Sequence, residues 1–270
     1  MAVTYPVILA AIVIEAGVND IIRGEVNGGG ESDKTIAPGT YYLLESGSES
    51  ILSALDGATA FNGSLPDSSI TYDRDAGNDC AAILLETGGD TVIMKFDHAN
   101  TTFDPAILGL AAVTYNFSSS LASIKSPSAL WVSSQPLPGS FDDTIESDTV
   151  EQITPDGQHN VFAQSAARTM RSLDLAFIAT SRVRDLATVA KSAWAPSTYA
   201  AFWDGFVRLG TLLHVSAATV SSGTTLTDPA YSTDNLYRAT GDSLTSFAPV
   251  PATRTATHWR WVLRLRRLVT

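Results

Sequence analysis

A single cysteine, Cys80, stands in 270 residues, so the chain closes no internal disulfide and assembles no cysteine-based zinc site. Charge is scarce too: 17% of residues are Asp, Glu, Lys or Arg, against about 25% in ordinary soluble domains. Cations are the scarcer sign, 17 Lys and Arg against 28 Asp and Glu, for a formal net charge of -11. A long apolar run is also missing. The opening stretch Met1 to Ile14 is interrupted by Pro6 and stopped by Glu15, short of the roughly 20 apolar residues that a membrane-spanning helix needs. It lacks a basic leader region and so makes a poor secretory signal. Its β-branched residues fit a buried strand instead.

Catalytic frames are absent as well. His98, His159, His214 and His258 are the histidines, and none falls in a G-x-S-x-G elbow, an H-E-x-x-H pair or a phosphate-binding loop. Asp97-His98 comes nearest to an acid-base pair, because a carboxylate can fix an imidazole tautomer. Neighbours on a strand point to opposite faces, however, so a solvated loop end is expected there. Asp73, Asp75 and Asp79 offer oxygens to a calcium ion without the Glu at position twelve of an EF-hand loop, which leaves a polar hairpin turn as the plainer reading. Asp142-Asp143 would serve glycoside hydrolysis only with another acid across a cleft, and the sequence gives no sign of one. The expectation is a protein that is not an enzyme, with no cofactor and no bound metal.

What is present is a mainly β (α+β) pattern with enough apolar residues, 44%, to bury a core. Val18 to Val26, a Gly28-Gly29-Gly30 turn and Lys34 to Tyr42 read as a hairpin, with Pro38-Gly39 making a turn or bulge in the return strand. Ser48 is placed as the N-cap of an amphipathic helix of about three turns, with Ile51, Leu52, Leu55 and Ala58 inward and a stop near Phe61-Asn62-Gly63. Ser69 to Tyr72, Ala81 to Glu86 and Thr91 to Asp97 read as a meander, and a helical turn follows at Ile107-Leu108-Gly109. The acidic run Asp142 to Asp148 is read as a loop dividing two β-sandwich-like halves, 1–140 and 149–270. In the second half, Val161 to Ala166, Arg171 to Ile178 and Leu212 to Val220 read as strands. Ser181 to Ala193 and Ser197 to Leu209 read as helices, the latter burying Tyr199, Phe202, Trp203 and Phe206 as core. Thr224 to Leu244 is taken as a polar loop region that holds at most a hairpin.

The last segment carries the clearest signal. Trp259, Trp261, Leu263 and Leu265 alternate with Arg260, Arg264 and Arg266, which puts an apolar row on one face and cations on the other. Up to residue 160 the only cations are Arg23, Lys34, Arg74, Lys95 and Lys125, whereas after it cations outnumber acids. An acidic body with a basic end suits head-to-tail association of copies, with Arg260, Arg264, Arg266 and Arg267 as expected interface residues; the plainer alternative is two independently solvated faces. Nucleic acid is not expected as a partner, because the acidic body repels phosphate. A membrane is not expected either.

Gly17-Val18-Asn19-Asp20, the variable hairpin, Ala37-Pro38-Gly39-Thr40-Tyr41-Tyr42, the apolar helix, the strand around Thr71-Tyr72-Asp73 and the turn Ile107-Leu108-Gly109-Leu110 together resemble virion proteins of tailed bacteriophages. The resemblance runs over about residues 17–135, and the turn departs conservatively from a Leu-Leu-Gly-Phe-like pattern. It implies a tail or neck component, assembled in the host cytoplasm into the virion, that contacts copies of itself and other virion proteins. An alternative is a receptor-binding module in which Trp131, Tyr231 or Tyr237 stacks on host-surface glycan. A third reading is a hydrolase with a site assembled across the two halves.

Overall fold

The computed structural model describes residues 4–44, 46–59, 61, 69–73, 80–85, 89–108, 110–118, 122–125, 130–132, 142–146, 149–153, 155, 159–163, 168–179, 199–222, 225–226, 230–251, 254–255 and 258–268. The fold is mainly β with a few short helices, as the sequence pattern predicts.

The opening run is indeed buried: β1 (Thr4–Ala10) and β2 (Ile12–Ile14) place Val7, Ile8, Leu9, Ile12 and Ile14 in the core. The expected hairpin forms from β3 (Ile21–Val26) and β4 (Ser32–Thr35). Its turn needs left-handed backbone at Asn27, Gly28 and Gly30, which glycine accepts without a Cβ clash. Beyond Thr35 the return strand does not continue. After Pro38 the chain changes sheets, and β5 (Gly39–Tyr41) pairs with β2 instead.

Helix α1 (Ile51–Asp56) buries Ile51, Leu52 and Leu55 as expected, but it is six residues long and its N-cap is Ser50 rather than Ser48. The reason is local. Tyr42 N–H bonds Glu49 O and Ile51 N–H bonds Tyr42 O, so residues up to 50 are tied to the preceding strand and cannot wind into helix. Ser50 Oγ accepts from Ser53 N–H (3.1 Å) and donates to Leu44 O (2.6 Å).

Next come β6 (Ser69–Asp73), β7 (Cys80–Leu85), β8 (Thr91–Lys95), a 3-10 turn at Pro105–Leu108, β9 (Thr114–Ser118), β10 (Ala122–Lys125) and β11 (Leu130–Val132). The expected meander is split: β6 pairs with β7, whereas β8 joins a four-stranded sheet of order β4-β3-β8-β9. The run expected as a dividing loop is a strand, β12 (Asp142–Glu146). Its register sets Asp143 opposite Arg171 and Glu146 opposite Arg168, and opposite charges across a pair favour strand pairing that acidic composition alone argues against.

The chain continues through β13 (Thr149–Ile153), β14 (His159–Ala163) and β15 (Arg168–Ala179). The helix expected at 181–193 lies outside the described residues. Helix α2 (Tyr199–Phe202) runs straight into a π turn, Trp203–Val207, so the aromatic segment is wound more loosely than its spacing predicts. Phe202 and Trp203 are core and Phe206 packs against it. β16 (Leu213–Ser222) follows, and the expected polar loop region contains β17 (Thr225–Leu226), β18 (Leu236–Ala239) and helix α3 (Asp242–Thr245). β19 (Val250–Pro251) and β20 (His258–Arg267) close the chain.

A 12-stranded antiparallel sheet has the path β10-β7-β6-β17-β16-β18-β20-β15-β12, with β1 and β11 joined to β16 and β19 joined to β20. It takes strands from both sides of the expected boundary. β1 pairs with β16 from Thr4↔Thr219 to Ala10↔Leu213, and the buried residues of both segments form one contiguous core.

Candidate docking face on the last strand

β20 alternates as predicted. Trp261, Leu263 and Leu265 are buried, at roughly 1.5 to 3 kcal/mol of stabilisation for each large apolar side chain, while Arg260, Arg264 and Arg266 are exposed. Arg267 falls on the other phase, half-buried, and its guanidinium pairs with the Asp234 carboxylate. It therefore stands apart from the outward row with which the sequence groups it. Another arginine joins that row. On β18, Tyr237 and Ala239 are buried and Arg238 is exposed, with Arg238 directly opposite Arg266.

Like charges opposite one another across an antiparallel pair are destabilising. The remaining described cations show how the chain ordinarily treats positive charge. Arg23 pairs with Asp33 (2.9 Å) and Glu31 (3.6 Å), Lys95 with Glu31, and Arg208 with Asp204. The carboxyls of Glu31 and Asp33 are held below their usual range, chiefly by hydrogen bonds from Lys95 and Arg23 respectively. Arg171 lies over the Tyr237 ring. Lys34 is buried, donates to Ser32 Oγ at 2.7 Å and faces the Phe61 ring; burial lowers its pKa. Among the described residues Arg238, Arg264 and Arg266 make no ion pair.

Helix α3 shapes this face. The chain leaves β18 with Thr240 N–H on Arg264 O (3.0 Å) and turns through Gly241, whose φ is +54°. The buried Ser243 then accepts from Arg264 N–H at 2.9 Å, replacing the strand neighbour that β20 lacks at this point. Trp203 Nε1 donates to Ser243 O at 2.8 Å and fixes the helix from below. Open grooves flank α3. One, of about 340 Å³, is lined by Arg260, Arg264, Trp261, Ala248 and Val250 and by Asp242 and Ser246 of α3 and its end. The other, of about 500 Å³, is lined by Arg238, Arg266, Leu244 and Leu268. Cationic rims over apolar walls suit carboxylates carried on a partly apolar chain.

A buried polar cluster lies elsewhere. His214 on β16, Tyr42 and Tyr231 come together, with His214 stacked on Tyr231 (ring centroids 5.4 Å, 17°) and 5.9 Å from Tyr42; Ser216, two residues along β16, is also buried. Ser232 N–H donates to His214 Nε2 at 3.1 Å, so the neutral imidazole carries its proton on Nδ1. Burial lowers the His214 pKa to about 4 and raises those of Tyr42 and Tyr231, with the Glu49 charge adding to both tyrosine shifts. His214 is fully enclosed, and this places its imidazole in a packing role. The sequence reading passed over this cluster; the alternation Leu213-His214-Val215-Ser216, with two polar residues on one phase, was its only signal.

The other sequence candidates do not converge. The Asp97 carboxylate accepts from Thr114 Oγ1 (2.8 Å), whereas His98 Nδ1 accepts from Asn100 N–H (3.1 Å). The side chains of Asp73, Asp75, Asp79, His159, His258, Asp142, Asp143 and Trp131 lie outside the described part, and among the described residues no group of three His, Cys, Asp or Glu could hold a metal ion. Of the aromatics expected to stack on sugar, Tyr237 is buried beneath Arg171 and Tyr231 is engaged with His214. No described helix is long and apolar enough to cross a membrane. Comparisons with protein-family models, with curated proteins and with solved structures give no match to this chain.

Proposed function

We propose that this chain is a non-enzymatic structural subunit of a bacteriophage virion, of the tail or neck kind, which assembles by seating its β18–β20 arginine face on an acidic surface of a neighbouring copy. The observation that carries the assembly role is the set Arg238, Arg264 and Arg266, exposed on one face without ion pairs among the described residues, while Arg23, Lys95, Arg208 and Arg267 are all paired within the chain. Arg254, on the turn before β20, is a further exposed cation but stands away from this strand pair. A protein of net charge -11 supplies the complementary surface in its own copies, and electrostatic complementarity fixes the register of such contacts. The virion setting rests on the resemblance over residues 17–135.

Sedimentation velocity across a salt series tests the assembly role. Assembly at low salt that recedes as salt rises, and that is lost in R264E/R266E, supports it; a monomer at every salt and protein concentration refutes it. Immunogold labelling of native particles tests the virion setting.

A further inference from the structure

Resting on that reading of the arginine face, we infer that its occupant is the acidic edge strand β12 of a second copy. Arg264 and Arg266 stand two residues apart on one side of β20, about 7 Å along the strand, and Arg238 faces Arg266 about 5 Å across the pair. This cationic trio opens on grooves whose walls include Leu244, Leu268, Ala248 and Val250, together with Asp242 beside Arg264. The matching ligand is an extended segment bearing several carboxylates and a few apolar side chains.

The sequence holds such a segment in Phe141-Asp142-Asp143-Thr144-Ile145-Glu146. Its strand, Asp142–Glu146, is the terminal member of the large sheet and pairs only with β15 among the described strands. An acidic edge of this kind refuses a second acidic edge, because like charges would face each other on pairing. It accepts a cationic surface. Asp142 lies opposite Ser172 in register, so its sheet neighbour supplies no countercharge there, whereas Asp143 and Glu146 lie opposite Arg171 and Arg168.

The contact forms between copies and not within one. β15 separates β12 from β20 in the same sheet, so Asp142, in line with Arg264 through Ser172 and on the same phase, stands two strands or about 10 Å from it, and β12 cannot come closer without breaking its pairing with β15 from Asp142↔Ser172 to Glu146↔Arg168. Because Asp142 and Arg264 share one sheet phase, two copies can meet face to face about a two-fold axis, each arginine row on the other's β12.

Charge-swapped variants test the assignment by sedimentation at about 50 mM NaCl, where surface charges are weakly screened. R264E/R266E and D142K/E146K should each associate at least about tenfold more weakly than the natural chain. Mixing the two should restore association in 1:1 complexes, because the reversed face meets the reversed strand, and restoration also proves both variants folded. Variants that stay apart when mixed overturn the inference. So does D142K/E146K assembling like the natural chain while R264E/R266E does not, an outcome that keeps the arginine face as the interface and assigns it a different occupant. Unchanged assembly of both variants overturns the inference and the assembly reading of this face together.

Discussion

Acidification should weaken this fold between pH 6.5 and pH 4, and His214 should account for about 3 kcal/mol of the loss. The imidazole is fully buried between Tyr42 and Tyr231 and accepts the Ser232 N–H at Nε2. A proton on Nε2 would turn that acceptor into a donor facing a donor. Burial accordingly lowers the folded pKa from 6.5 to about 4. The sign follows from the unfolded chain binding a proton at a higher pH than the folded one. The contribution is complete above pH 6.5, declines as the pH falls, and is gone below about 4. At ~1.36 kcal/mol per pH unit, that gap is worth about 3 kcal/mol. Tyr42 and Tyr231, raised by burial and by the Glu49 charge, titrate far above this window.

Urea unfolding followed by tryptophan fluorescence, in half-unit steps from pH 7.5 to 4, measures the effect. Carboxylates such as Glu31 and Asp33, whose pKa values are lowered, also lose stabilising interactions near the acid end, so the informative quantity is a difference. H214Q keeps an acceptor for Ser232 N–H and removes the titration. Natural chain and H214Q should diverge steadily below pH 6.5, with the natural chain falling faster. Parallel curves would refute the assigned burial and tautomer of His214.

S243A removes the acceptor of Arg264 N–H and should lower stability by about 1 to 3 kcal/mol in denaturant titrations; an unchanged midpoint would mean that water replaces the hydroxyl. G24A places a Cβ 2.7 Å from Ile93 O, a backbone atom with little room to move, and should cost about 1 to 3 kcal/mol by the same assay. Removing Val262 from β20 inverts the phase of Leu263 and Leu265 against Trp259 and Trp261 and should abolish soluble expression, whereas removing Ala176 at the bulge of β15 should leave a folded, weakened protein. Equal tolerance of both deletions would contradict the register between these strands.

Alternation made the sheet legible wherever one strand face is wet. β20 was readable for that reason, β1 from a continuous run of β-branched and apolar residues buried on both faces, and α1 from Ile51, Leu52 and Leu55. Its start was not, because the bond from Tyr42 N–H to Glu49 O depends on a chain reversal that no local pattern encodes. β12 was misread because Asp142, Asp143 and Glu146 resemble a solvated loop until Arg168 and Arg171 are placed opposite. The alternation at Leu173, Leu175 and Phe177 suggests an unbroken strand. A register shift between Leu175 and Ile178 instead brings Ile178 opposite Trp259, one residue out of phase. Partners distant in sequence were the common missing term, and the His214 cluster and the Arg238–Arg266 pairing were hidden for the same reason.

That missing term also explains why the arginine face survives at all. Moving Arg264 or Arg266 off the sheet surface would require shifting β20 by one residue, and that shift would expose Leu263 and Leu265, both fully buried, at roughly 1.5 to 3 kcal/mol each. Cross-strand repulsion between Arg238 and Arg266 is of the order of 0.2 to 1 kcal/mol. The core therefore wins, and the repulsion remains as a standing bias toward any anion that can bridge the two guanidiniums. An anion bound there would relieve a strain that packing imposes, which would tie the affinity of this face for carboxylates to the stability of the strand that carries it.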